Sequence, residues 1–143
     1  MGARLDGIKG LTAALENMTP EVERQVSMGV KQAGEELRAD IIKRYNRGPA
    51  SGRTYQKYSP RRTHKASAPG QAPMTDTGRL ANGTRTKNAG RLAVEVYNLV
   101  RYASVLEYGS RLIRPRPAWV PATEKMRTRF YKIIEHYLKR AMK

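Results

Sequence analysis

The sequence predicts an α+β domain: a long N-terminal helix and a C-terminal helix packed on a small antiparallel β-sheet, with a long basic loop. Three patterns carry that expectation. Val22, Val26, Val30, Ala33, Leu37, Ile41 and Tyr45 recur at helical spacing over about six turns. Leu92, Val94 and Val96 alternate with Ala93, Glu95 and Tyr97, the period of a strand buried on one face. Ala122, Met126, Phe130, Ile133, Tyr137 and Ala141 form a second helical stripe, widened by Ile134 and Leu138.

The 143 residues fit one domain, 1–143. Leu5, Ile8, Leu11, Leu15 and Met18 predict a short amphipathic helix over residues 1–18. Thr19 suits an N-cap and Pro20 the first helical position, so the long helix occupies residues 19–46. Gly29 and Gly34 each weaken it by about 1 kcal/mol relative to alanine, and in return permit close approach of a neighbouring helix or subunit. Asn46-Arg47-Gly48-Pro49 ends it. Residues 47–78 read as a flexible basic loop, with four prolines, four glycines and almost no aliphatic side chains.

Residues 79–117 hold the small sheet and a short helix. Asn88-Ala89-Gly90 suits a hairpin turn that would pair the Leu92–Val96 strand with residues 80–87. Tyr102 to Tyr108 gives two helical turns, with Gly109 as a left-handed cap, and Arg111 to Arg116 gives a further short strand. Pro121 suits the first turn of the last helix, in residues 118–143, whose end carries Lys139, Arg140 and Lys143 where the dipole favours cations.

The net charge of +16 is unevenly spread. Residues 1–46 carry seven basic and seven acidic side chains, whereas residues 47–91 carry ten basic and one acidic. Such a field attracts polyanions, or an acidic protein neighbour. Arg53, Lys57, Arg61, Arg62 and Lys65 alternate with Tyr55 and Tyr58, a pattern able to follow a phosphate backbone and stack on bases. An arm that orders only against a neighbouring subunit accounts for the same residues, with the tyrosines as protein anchors. No apolar run reaches the roughly 18 residues that a membrane span needs, and the N-terminus shows no signal-peptide pattern. Mean hydropathy is −0.69. The absence of cysteine excludes disulfides, thiolate metal sites and cysteine nucleophiles.

Catalytic constellations are missing. The two histidines, His64 and His136, stand far apart in sequence, and Asp76, Glu95, Glu107, Glu124 and Glu135 are at least eleven residues from one another. No spacing suits a metal pair, general acid–base work or a phosphate-cradling glycine loop. The chain therefore reads as a non-enzyme without cofactor or metal. A small ribonuclease using His64 is the enzyme alternative. A stand-alone basic nucleic-acid-binding module is the alternative from another class.

Three segments, in order, carry a resemblance. Ser67-Ala68-Pro69-Gly70-Gln71-Ala72-Pro73 leads into Thr75-Asp76-Thr77-Gly78-Arg79-Leu80. Tyr102-Ala103-Ser104-Val105-Leu106-Glu107-Tyr108-Gly109-Ser110 follows the strand, and Arg116-Pro117-Ala118-Trp119-Val120-Pro121-Ala122 opens the last helix. Together they resemble the neck and tail-component proteins of lambda-like long-tailed bacteriophages and prophages, over roughly residues 20–143. Two departures stand out: Ala118-Trp119-Val120 replaces the family's usual Phe-Leu-Arg, and the basic loop is long.

The resemblance implies a structural virion protein of the neck, present in host cytoplasm during assembly. It would be a head–tail connector or tail-completion component in a homo-oligomeric ring, expected as a hexamer. Its partners would be the head-closure and tail-terminator or tail-tube proteins, with non-specific contact to genomic DNA in the channel. Candidate assembly residues are Tyr55, Tyr58, Asp76, Gly78, Tyr102, Glu107, Tyr108, Gly109 and Trp119. Asp76, Thr77 and Gly78 suit a turn closed by the aspartate side chain. Glu107 is a candidate partner for an arginine. Trp119, framed by Pro117 and Pro121, suits core or interface equally.

Overall fold

The computed structural model describes residues 1–6, by backbone alone for 3–6, and residues 19–143. The described elements run β1 (Gly2–Asp6), α1 (Pro20–Asn46), β2 (Thr54–Tyr58), β3 (Arg61–Lys65), α2 (Arg79–Gly83), β4 (Thr84–Gly90), β5 (Ala93–Asn98), α3 (Ala103–Tyr108) and α4 (Trp119–Ala141). The architecture is α+β, with α1 packed on a small antiparallel sheet of order β1-β5-β4 and α4 packed along α1.

The expected helix over residues 1–18 meets a different structure at its start. Leu5 pairs with Val94 in β1, which adds an edge strand to β5. The remainder of that helix lies outside the described residues.

The long helix begins as its caps dictate. Thr19 has extended backbone dihedrals, its hydroxyl accepts from Val22 N at 3.5 Å, and Pro20 fills the first turn. Glu21 and Glu23 lie in that turn, and Lys43 and Arg44 in the last, so both ends complement the dipole. The stripe Val26, Val30, Ala33, Leu37, Ile41 and Tyr45 is buried. Each large aliphatic side chain sealed there contributes about 1.5–3 kcal/mol. The two glycines admit close neighbours within the same chain. A Cβ on Gly34 would stand 2.5 Å from Val94 Cγ1, and one on Gly29 would stand 3.0 Å from the Tyr137 ring. Ion pairs join the helices along their exposed margins: Arg129 Nε meets Glu36 at 3.0 Å and Lys125 Nζ meets Asp40 at 2.9 Å.

The sheet is shorter at its first strand than the alternation suggests. Residues 79–83 form α2, and β4 starts at Thr84. A buried polar knot sets that boundary. Asn98 Nδ2 donates to Leu80 O at 2.8 Å and to Thr84 Oγ1 at 3.0 Å, while Thr84 Oγ1 donates to Leu80 O. The last helical carbonyls are thereby satisfied from the end of β5. Asn88-Ala89-Gly90 is not the turn: it belongs to β4, with a bulge between Asn88 and Gly90, and Arg91-Leu92 makes the reversal.

Two other segments differ from expectation. Within 47–78, β2 and β3 form an antiparallel ribbon, from Thr54↔Lys65 to Tyr58↔Arg61, where irregular loop was expected. The segment Arg111–Arg116 forms no strand. It is a tight loop in which Ser110 Oγ accepts from Leu112 N and Ile113 N, and Ser110 N donates to Ile113 O.

Candidate assembly site

The segments that carry the resemblance meet around two carboxylates. The first is Glu107, the fifth residue of α3 and 4 % exposed. Its Oε2 accepts from Ala118 N at 2.8 Å and Trp119 N at 3.0 Å, and its Oε1 accepts from Val120 N at 2.8 Å. Among the described residues no arginine is its partner, in contrast to the sequence expectation. The carboxylate occupies the N-terminus of α4, whose own N-cap position is an alanine without a capping side chain. A full negative charge there replaces a local cap, neutralises the orphan N–H groups and complements the dipole.

Trp119 continues the same node. It is 2 % exposed and its Nε1 donates to Tyr45 Oη at 2.7 Å, joining the start of α4 to the last turn of α1. In this chain Trp119 is therefore core. Burial pushes the Tyr45 hydroxyl up to about 12 despite the hydrogen bond from Trp119, which works in the opposite direction. The nearby Glu107 charge adds to the rise. Tyr45 is the partner that sequence reading missed, since it looked like one more member of the helical stripe.

Gly109 turns the chain out of this node at φ 79°. A Cβ would lie 2.8 Å from Ile113 O, so only glycine fits. The loop that follows is pinned at its base: Arg116 N donates to Leu106 O, and Gly70 N donates to Pro115 O. On this rigid base Leu112 is 95 % exposed, and Tyr102, Tyr108 and Ile113 are exposed too. The sequence had assigned Leu112 and Ile113 to a strand, and their apolar character between Arg111 and Arg114 was the available signal.

The second carboxylate is Asp76. The turn at Thr75–Gly78 is closed by Thr75, whose Oγ1 accepts from Gly78 N at 3.1 Å, and not by Asp76 as expected. Gly78 supplies the positive φ of 75° that starts α2. Asp76 is left to hold the ribbon. It pairs with Lys57, and Arg62 Nη2 meets its Oδ1 at 2.5 Å in an ion pair whose angles fall outside hydrogen-bond geometry. His64 Nδ1 lies 3.6 Å from the same oxygen. Burial holds the His64 imidazole below its usual range, with Lys57 and Arg62 adding to the effect, so it stands neutral at pH 7.

The five basic residues grouped by sequence thus divide by exposure and pairing. Lys57 and Arg62 are cross-strand partners turned toward Asp76, whereas Arg53, Arg61 and Lys65 are exposed and pair with no carboxylate of the described residues. Tyr58, 78 % exposed, shares the outer face with Arg61, and Tyr55 lies opposite His64 on the inner one. A cleft of about 340 Å³ separates ribbon and body, lined by His64, Asp76, Arg79, Tyr102, Leu106 and Arg116.

Among the described residues no group of three or more histidines, aspartates or glutamates is placed to hold a metal ion. His136 lies on the exposed side of α4, away from the His64 cluster. No described helix is long and apolar enough to cross a membrane. The arrangement is one of charge pairing, capping and exposed apolar surface.

Comparison with known proteins agrees with that character. No curated protein and no solved structure matches the chain. A family model described as "Bacteriophage HK97-gp10, putative tail-component" matches residues 9–109, which include the Asp76 turn, both strands of the β4–β5 hairpin and all of α3. The chain belongs to this HK97-gp10-like family of bacteriophage tail components.

Proposed function

We propose that the protein is a ring-forming subunit of the phage neck, a head–tail connector or tail-completion component that joins the tail to the DNA-filled head. Family membership makes it a tail component and a virion protein. The observation that carries the finer reading is the rigid Gly109–Arg116 loop, which holds Leu112 and Ile113 out beside Tyr108. Exposed apolar side chains fixed on an unyielding base lose little entropy on docking and mark a protein contact. Arg111 and Arg114 flank them, so an acidic-rimmed partner surface fits best. In this reading the ring is a hexamer, α1 and α4 form its rigid spine, and the loop meets the adjoining head-closure or tail-tube protein. The role is architectural, with no catalytic step.

Deleting the gene from its phage tests the reading. Filled heads and separate tails should accumulate, and the intact gene supplied in trans should restore joined particles. Leu112→Ser with Ile113→Ser should restore few of them while leaving the purified protein folded. Normal particles from the deletion strain would overturn the proposal.

A further inference from the structure

We infer that the outer face of the β2–β3 ribbon is a binding surface for the phosphate backbone of double-stranded DNA. The antiparallel register places Thr54, Gln56, Tyr58, Arg61, Thr63 and Lys65 on that face, and every one is exposed. Each belongs to the side-chain types that contact phosphate and sugar. The face has no carboxylate and no aliphatic residue, so it lacks the apolar centre of a protein interface. Gln56 Nε2 donates across the ribbon to Arg62 O and along its own strand to Lys57 O, which stiffens the face without using its cations. Arg53, exposed just before Thr54, adds a third cation at the ribbon's base.

Charge accounting over the described residues favours DNA over a second copy of this chain as the occupant. Of the ten described carboxylates outside β1, eight meet a cation of the same chain and Glu107 is consumed by the α4 N-terminus. Glu124 alone of the ten is left with neither a cation nor such a helix end among the described residues. Among the described residues, a neighbouring subunit offers too few spare carboxylates to neutralise Arg53, Arg61 and Lys65. Asp76 sharpens the division by drawing Lys57 and Arg62 inward, which leaves Arg61 and Lys65 as the cations of the outer face and Arg53 exposed at its base. A two-stranded ribbon also fits the width of a major groove, about 12 Å.

This deepens the neck reading, in which DNA passes the ring, yet its test needs only the purified chain. Binding of a labelled 30-base-pair duplex is followed by fluorescence anisotropy between 50 and 200 mM NaCl, using two unrelated sequences. Both should bind equally, because backbone contact carries no sequence information. Arg53→Gln, Arg61→Gln and Lys65→Gln together should lower the slope of log affinity against log salt by about 2 to 3. Affinity at 100 mM should fall at least tenfold. A control triple on α4 and its end, Arg127→Gln, Lys132→Gln and Lys143→Gln, removes the same charge and should change the slope by less than about 1. Unchanged melting temperatures would show both variants folded. Equal losses from the two triples would overturn the inference, as would wild-type protein that binds a poly-glutamate peptide but not the duplex. Normal particles from the deletion strain with DNA binding intact would count against the neck reading alone.

Discussion

Glu107 and Asp76 are both carboxylates that tie distant segments together. One is sealed beneath the first turn of α4, and the other sits at the open base of the β2–β3 ribbon. Glu107 accepts from three consecutive backbone N–H groups and meets no cation. Asp76 is met by Lys57 and Arg62, both partly solvated, with His64 nearby. Backbone donors at a helix end cannot move away, and burial keeps water from replacing the carboxylate. Long cationic side chains at a water-filled cleft can do both. The first carboxylate should therefore control the stability of the whole body, and the second only the pose of an arm.

Glu107→Ala should give the largest effect. It leaves the N–H groups of Ala118, Trp119 and Val120 buried without an acceptor, at a cost of about 3 kcal/mol. Thermal unfolding would measure it, and Glu107→Gln should fall between the variant and the parent. Tyr45→Phe comes next, at about 1–2 kcal/mol, because Trp119 Nε1 loses its acceptor in a buried site. The raised Tyr45 ionisation adds a pH signature. Its neutral form is favoured by folding, so that stability is fully present below pH 10 and is lost as pH rises through about 12. Tyr45→Phe should flatten this alkaline decline in a series of melts.

Asp76→Asn should cost under about 1 kcal/mol globally, as for other partly solvated ion pairs. Its consequence is local. Trypsin should cut the ribbon at Arg53, Lys57, Arg61, Arg62 or Lys65 several-fold faster, while the melting temperature barely shifts. A drop as large as that of Glu107→Ala would erase the contrast between the two sites.

The smallest effect belongs to the interhelical pairs. Hydrogen bonding from Arg129 holds the Glu36 carboxyl below its usual range. For Asp40, burial pulls upward but Lys125 and Arg44 outweigh it. Carboxyls with depressed values contribute stability that is present above the ordinary carboxylate range and lost as pH falls through the depressed values. A double Glu36→Gln, Asp40→Asn variant should show a slightly shallower acid transition in equilibrium melts.

The same contrast explains which parts of the molecule were legible in the sequence. The body was legible where burial imposes a period. Val22 to Tyr45 packs one face with a Thr19-Pro20 start, and Val94 and Val96 point from β5 into the core. The ribbon was not, because TYQKY and RRTHK are polar on both faces and its anchor, Asp76, lies 11 residues beyond Lys65. The role of Glu107 was half legible. Its tyrosine-flanked position before Gly109 marked it out, but a partner made of backbone N–H groups leaves no trace in residue type. Leu5 was misassigned because i, i+3 spacing over so few residues does not distinguish an edge strand from a helix. Leu112 reads in sequence as a strand residue, since apolar residues there announce burial, and the structure holds it out on the surface.

Native mass spectrometry of the purified protein, mixed with the head-closure and tail-tube proteins of the same phage, tests the assembly reading most directly. The expected result is a closed multimer of the 16.1 kDa chain, a hexamer bound to at least one partner ring, which Leu112→Ser with Ile113→Ser detaches from that partner. A chain that stays monomeric in every mixture would contradict it.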